Sequence, residues 1–100
     1  MTRIWHGYTD HCNADAYEHM LKSEIFSGIE KRNIEGFKNI QLLRRQIGNE
    51  VEFITIMWFD SLESVKQFAG KEYEKAVVYP EAKPLLIRYD ERSQHYEVKN

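Results

Sequence analysis

The stretch Val51–Gly70, VEFITIMWFDSLESVKQFAG, constrains the fold more than any other. Val51 to Phe59 is almost unbroken in β-branched and aromatic residues, which suit a pleated, buried surface. Asp60 and Ser61 halt that strand. Either can cap a helix, and Glu63 lies three residues after Asp60, as in a capping box. Leu62, Val65, Phe68 and Ala69 then recur at helical spacing, and Gly70 supplies a stop.

The flanking segments complete the pattern. Arg3 to Thr9 reads as a strand with Ile4, His6 and Tyr8 on one face and Arg3, Trp5 and Gly7 on the other. Ala14 to about Asn33 is the longest helical pattern, with Ala14, Tyr17, Leu21, Ile25 and Ile29 on one stripe. Gly36 to Ile47 reads as a second strand, and Gly48-Asn49 predicts a hairpin into Val51. Phe37, Ile40, Leu42 and Leu43 do not alternate cleanly, which predicts a bulge or a strand covered on both faces. Arg44 and Arg45 should point to opposite faces. Lys71 to Tyr79 is expected to be a short helix, and Pro80 and Pro84 bracket a turn. Leu85 to Asp90 starts a last strand. Gln94 to Val98 either continues it or forms a separate one.

The order β-α-β-β-α-β predicts one α+β domain over residues 1–100. Its protomer is ferredoxin-like, an antiparallel sheet with helices on one face. Trp58 shares strand parity with Ile54 and Ile56, and this face, with His6, is expected to lie under the helices. Trp5, Phe53, Met57 and Phe59 would then form a bare aromatic face. Such a face should bury against a second copy, giving a homodimer.

Composition narrows the function classes. The chain is 42% hydrophobic and 30% charged, which fits a globular domain; 13% aromatic is more than one small core absorbs and predicts a cavity, an interface or both. A net charge of −2, with no basic cluster beyond Arg44-Arg45, argues against nucleic-acid binding. The single cysteine, Cys12, excludes an internal disulfide framework and leads us to expect a reducing cytoplasm. No signal-peptide-like run opens the sequence, and no apolar run approaches the ~20 residues of a membrane span, so no membrane partner is expected. The histidines do not fall at metal-ligand spacing, and no metal site is expected. Nucleotide-binding and hydrolase motifs are absent.

The segments TIMWFDSLESVKQFAG and EYEKAVVYPEAK resemble the antibiotic biosynthesis monooxygenase superfamily. The resemblance implies a dimeric α/β barrel of ferredoxin-like protomers. The family's usual pattern is Thr-x-Trp-x-Ser at the end of the third strand, then a helix ending in Phe or Trp. Members include cofactor-independent quinone-forming monooxygenases and heme-degrading enzymes. The resemblance therefore implies a small aromatic, phenol- or hydroquinone-type substrate. In the heme-degrading relatives a Trp lies against the porphyrin, beside a first-strand Asn and an axial His on the following helix. Trp58 stands for the Trp and His6 for the Asn, but Lys75 to Tyr79 contains no His. No cofactor is therefore expected.

Five residues are candidates for a site. Trp58 is either a core residue or the flat wall of an aromatic pocket, with His6 beside it as a satisfied core histidine or a general base on a phenol. They form the catalytic pair of the enzymatic reading. Tyr79 before Pro80, Tyr17 on the long helix and Tyr8 on the His6 face are candidate substrate contacts; each could equally be packing. The alternatives to an oxygenase are a non-catalytic ligand-binding or stress-response protein on the same scaffold and, more weakly, a heme protein.

Overall fold

A computed structural model describes all 100 residues. Strand β1 (Thr2–Asp10) leads into a long helix of three continuous pieces: α1 (Ala14–Met20), a π-helical segment (Leu21–Ile25) and α2 (Phe26–Lys31). Next come β2 (Phe37–Ile47), β3 (Glu50–Phe59), α3 (Leu62–Ala69), a 3-10 turn (Lys83–Leu85), β4 (Arg88–Tyr89) and β5 (Gln94–Tyr96). The strands lie in the order β2-β3-β1-β4, all pairs antiparallel, with β5 also beside β1. This is the expected ferredoxin-like α+β arrangement.

The π segment follows from the spacing of the apolar stripe. Tyr17, Leu21, Ile25 and Ile29 repeat every four residues and are all buried. On a 3.6-residue turn a four-residue repeat drifts by about 40° per step. The wider π turn absorbs that drift in mid-helix and keeps the stripe on the sheet.

Gly48-Asn49 closes the hairpin by pairing Ile47 with Glu50, and Gly48 takes the left-handed φ of 58° that such a turn demands. The uneven pattern in β2 is a register shift between Phe37 and Asn39. Ser61 caps α3, its Oγ accepting the Ser64 N–H at 3.3 Å, so the cap pairs Ser61 with Ser64 rather than Asp60 with Glu63. Lys71 to Tyr79 is not helical. Val77, Val78 and Tyr79 are β-branched or aromatic and run into Pro80, which disfavours helix before it. The segment instead hydrogen-bonds to the stretch after β4, Ala76 N–H to Glu91 O and Ser93 N–H to Glu74 O. The last strand is broken: only Arg88–Tyr89 pairs in the Leu85 to Asp90 stretch, and Gln94–Tyr96 is separate.

The faces of the sheet are the reverse of the expected ones. Arg3, Trp5, Gly7 and Thr9 of β1 and Val51, Phe53, Met57 and Phe59 of β3 lie on the helix side. Ile4, His6, Tyr8, Ile54, Ile56 and Trp58 lie on the open side. Both faces of β3 are apolar from Phe53 to Phe59, with Glu50 and Glu52 alone marking the even-numbered face as the more polar one, and a slip of one residue flips every side chain. The short connection decides the matter. Phe59, the last strand residue, packs on Phe68 of α3 at 6.1 Å and on Phe37 at 5.7 Å, which pins odd-numbered residues of β3 under the helix.

Candidate functional site

The helix side of the sheet contains a cavity of about 60 Å³, counted as space open to the centre of a water-sized sphere. One such sphere needs about 10–15 Å³ on that measure, so the space is that of a few waters, less than half of the ~150 Å³ of an apolar cavity that takes up benzene, and a small ring enters only as the walls move apart. Trp5, Ile40, Thr55 and Met57 form its floor on the sheet. Tyr17, Leu21, Ile25, Phe26 and Ile29 cover it from the long helix, and Phe68 closes one side from α3. The non-helical segment through Val77, Val78 and Tyr79 supplies the remaining wall, with Ala82 and Leu86. Arg3 and Ser93 are the strongly polar exceptions.

Two wall positions, Trp5 and Tyr17, are tightly fixed. Trp5 donates its Nε1–H to Asp90 O at 2.7 Å, and its ring lies where a side chain at Gly7 would be. Tyr17, 1% exposed, meets the Phe53 ring edge-on at 4.8 Å. Burial alone pushes its phenol well above the ordinary range, with no hydrogen bond contributing. Tyr79 is half-buried; burial raises its phenol, opposed by the nearby guanidiniums of Arg32 and Arg3.

Arg3 is 4% exposed. Its terminal nitrogens donate to Tyr73 O at 3.4 Å and Lys75 O at 3.1 Å, and its Cζ stands 5.4 Å from the centre of the Phe68 ring. Burial lowers its pKa to about 10, so it remains a cation at neutral pH. His95, paired with Arg3 across β1 and β5, packs on Tyr73 at 5.2 Å with a buried Nε2 that has no partner. Burial, then the charge of Arg3, lowers its pKa.

Of the residues singled out from sequence, Tyr17 and Tyr79 stand in the cavity wall. His6, Tyr8 and Trp58 do not, because their strand parity puts them on the open face. There His6 Nδ1 contacts Asp90 Oδ2 at 2.7 Å, and Tyr8 O–H donates to Glu52 at 3.0 Å. Arg45 Nε donates to Glu52 at 2.6 Å, and Arg88 to Glu50 at 2.6 Å. The hydrogen bond from Arg45 holds the Glu52 carboxyl below its usual range. Arg44 pairs with Asp15 and Glu18 on the helix side, so the two arginines do serve opposite faces. Arg3, Trp5 and Phe68 were not recognised from sequence as site residues. The alternation of β1 grouped Arg3 with Trp5, but nothing in β1 alone says which group faces the helices.

No histidine lines the cavity, and a porphyrin is far larger than the space, so these residues do not fit heme. No group of three or more His, Cys, Asp or Glu side chains is placed to hold a metal ion. No helix is long and apolar enough to cross a membrane.

No protein-family model and no curated protein sequence matches the chain. Among solved structures it is similar to one described as a "putative antibiotic biosynthesis monooxygenase from Bacillus cereus". The TM-score is 0.68 at 14% identity, over 99% of this chain and 94% of that one. The chain therefore shares the ferredoxin-like fold of that structure.

Proposed function

We propose that the chain is a monooxygenase of the antibiotic biosynthesis monooxygenase type, acting without a cofactor on a small phenol or hydroquinone held in the helix-side cavity. The observation that carries this reading is the cavity itself: a small apolar space walled by Trp5, Tyr17, Phe68 and Tyr79, with Arg3 at its edge. The fold likeness adds the activity by analogy only. In such a reaction the substrate supplies the electrons, one oxygen atom of O₂ enters the ring and the other leaves as water. The cation at Arg3 would favour the ionised, electron-rich form of the ring hydroxyl. Oxygen uptake with a panel of hydroquinones tests this. Uptake above the autoxidation blank, lost in Trp5→Leu, is expected; none with any member would remove the oxygenase reading.

A second reading is a ligand-binding protein with no turnover. One observation favours it: the cavity wall contains no Asp, Glu or His to accept a proton. Saturable binding without oxygen uptake would select it.

We further propose a homodimer through the open face of the sheet. Ile4, Ile54, Ile56 and Trp58 form an apolar centre there with Leu43 of β2 beside Ile54. The Arg45–Glu52, His6–Asp90 and Arg88–Glu50 pairs lie around it. An apolar centre with a polar margin is the usual build of an interface. In this arrangement His6, Tyr8 and Trp58 serve assembly rather than the cavity.

A further inference from the structure

We infer that the cavity selects a small aromatic bearing one anionic oxygen group, which Arg3 binds directly. This rests on the cavity being the ligand site, as proposed above, but not on turnover.

The distribution of charge partners points to it. The chain has six arginines. Arg44, Arg45, Arg88 and Arg92 each have a carboxylate within 4.0 Å. Arg3 and Arg32 have none, and both converge on one ring: each Cζ lies 5.4 Å from the centre of Phe68. Phe68, Arg3 and Tyr79 line the cavity, and Tyr79 feels the charges of both Arg32 and Arg3. Arg32 is exposed and donates to the carbonyls of Gln67 and Phe68, so water satisfies much of its charge.

Arg3 has no such relief. A buried arginine is normally paired, because an isolated charge out of water is costly. Two of its five N–H donors go to the carbonyls of Tyr73 and Lys75, which leaves three. Neutral carbonyls satisfy hydrogen bonds but not charge. The fork of a guanidinium matches a carboxylate, and it also accepts a single phenolate oxygen. A ring on the floor of Trp5 under Tyr17, with its anionic group toward Arg3, would supply the missing partner. The apolar remainder of the wall then penalises a second charge, so the preferred ligand carries one.

Titration calorimetry with benzoate and ionised 4-nitrophenol, against neutral benzamide and nitrobenzene, tests the inference and separates carboxylate from phenolate. Each anion should bind about tenfold or more tighter than its neutral counterpart, the worth of one charge-assisted hydrogen bond. Arg3→Gln should erase that preference while leaving benzamide affinity in place, whereas Arg32→Gln should retain most of it. If Arg3→Gln does not fold, Arg3→Lys decides: it keeps the charge and should keep the preference. Equal affinity for anion and neutral ring in the wild type overturns the inference but leaves an aromatic site. Equal weakening of both in Arg3→Gln overturns it too, leaving Arg3 a brace for the 71–79 segment. Absence of all binding overturns both this inference and the cavity as a site. Anion-selective binding without oxygen uptake supports the inference and removes only the oxygenase reading.

Discussion

Trp5 and Gly7 stand two residues apart on the same face of β1, and the indole occupies the space a side chain at Gly7 would need. A methyl group there would come within 2.8 Å of Cη2 and Cζ3 of Trp5 and 3.1 Å of Leu86. The missing side chain thus sets the floor of the cavity. Gly7→Ala should displace the ring, costing about 1–3 kcal/mol in denaturant unfolding and weakening any cavity ligand. Unchanged stability and an unchanged Trp5 environment would contradict that packing.

Arg3 should limit the stability of the ligand-free protein. Burial lowers its pKa to about 10, and the sign is that of a buried base. The folded state pays wherever Arg3 is protonated, at every pH below about 10, and recovers only above it. That lowering corresponds to a penalty of about 3 kcal/mol. The two carbonyl hydrogen bonds and the Phe68 contact offset part of it. Arg3→Met should therefore stabilise the fold by about 1–2 kcal/mol, seen as a higher Tm, while abolishing anion binding. A lower Tm would mean that the hydrogen bonds to Tyr73 and Lys75 outweigh desolvation.

His95 should make the fold acid-sensitive before any carboxylate titrates. Its folded pKa lies below 6.5, through burial and then Arg3, so the unfolded chain takes up the proton first. Its contribution is intact above 6.5 and is lost as pH falls through that value. The lowered carboxyls of Glu18 and Glu52 act only as pH falls through 4.5. Replacing His95 by Phe should flatten Tm between pH 7 and 5.5. In Arg3→Gln the His95 resonance should titrate at a higher pH than in the wild type.

The open face makes a separate prediction. Light scattering at micromolar concentration should give twice the chain mass, and Trp58→Lys or Ile56→Lys should give the monomer mass with the fold retained. A monomeric wild type would remove the dimer.

The element order was legible because each signal is local. Ser61, Gly70 and Gly48-Asn49 mark boundaries by their own backbone chemistry, and the four-residue repeat from Tyr17 to Ile29 marks one helix. The site was not legible for a non-local reason. Ile54 and Ile56 are as apolar as Phe53 and Met57, and the side of the sheet that meets the helices is pinned by contacts such as Phe53 with Tyr17 and Phe59 with Phe37, far apart in sequence. The role of Arg3 was hidden similarly. A lone strand arginine reads as a surface charge until burial and the absence of a carboxylate are known.

The two tryptophans give the most direct test, since Trp5 lines the cavity and Trp58 lies on the opposite face of the sheet. In a nitrogen-edited NMR titration with benzoate, each indole N–H gives its own resonance. The Trp5 signal should move progressively to saturation while that of Trp58 stays in place. Movement of Trp58 with Trp5 unchanged would put the ligand on the open face and contradict the assignment of the site.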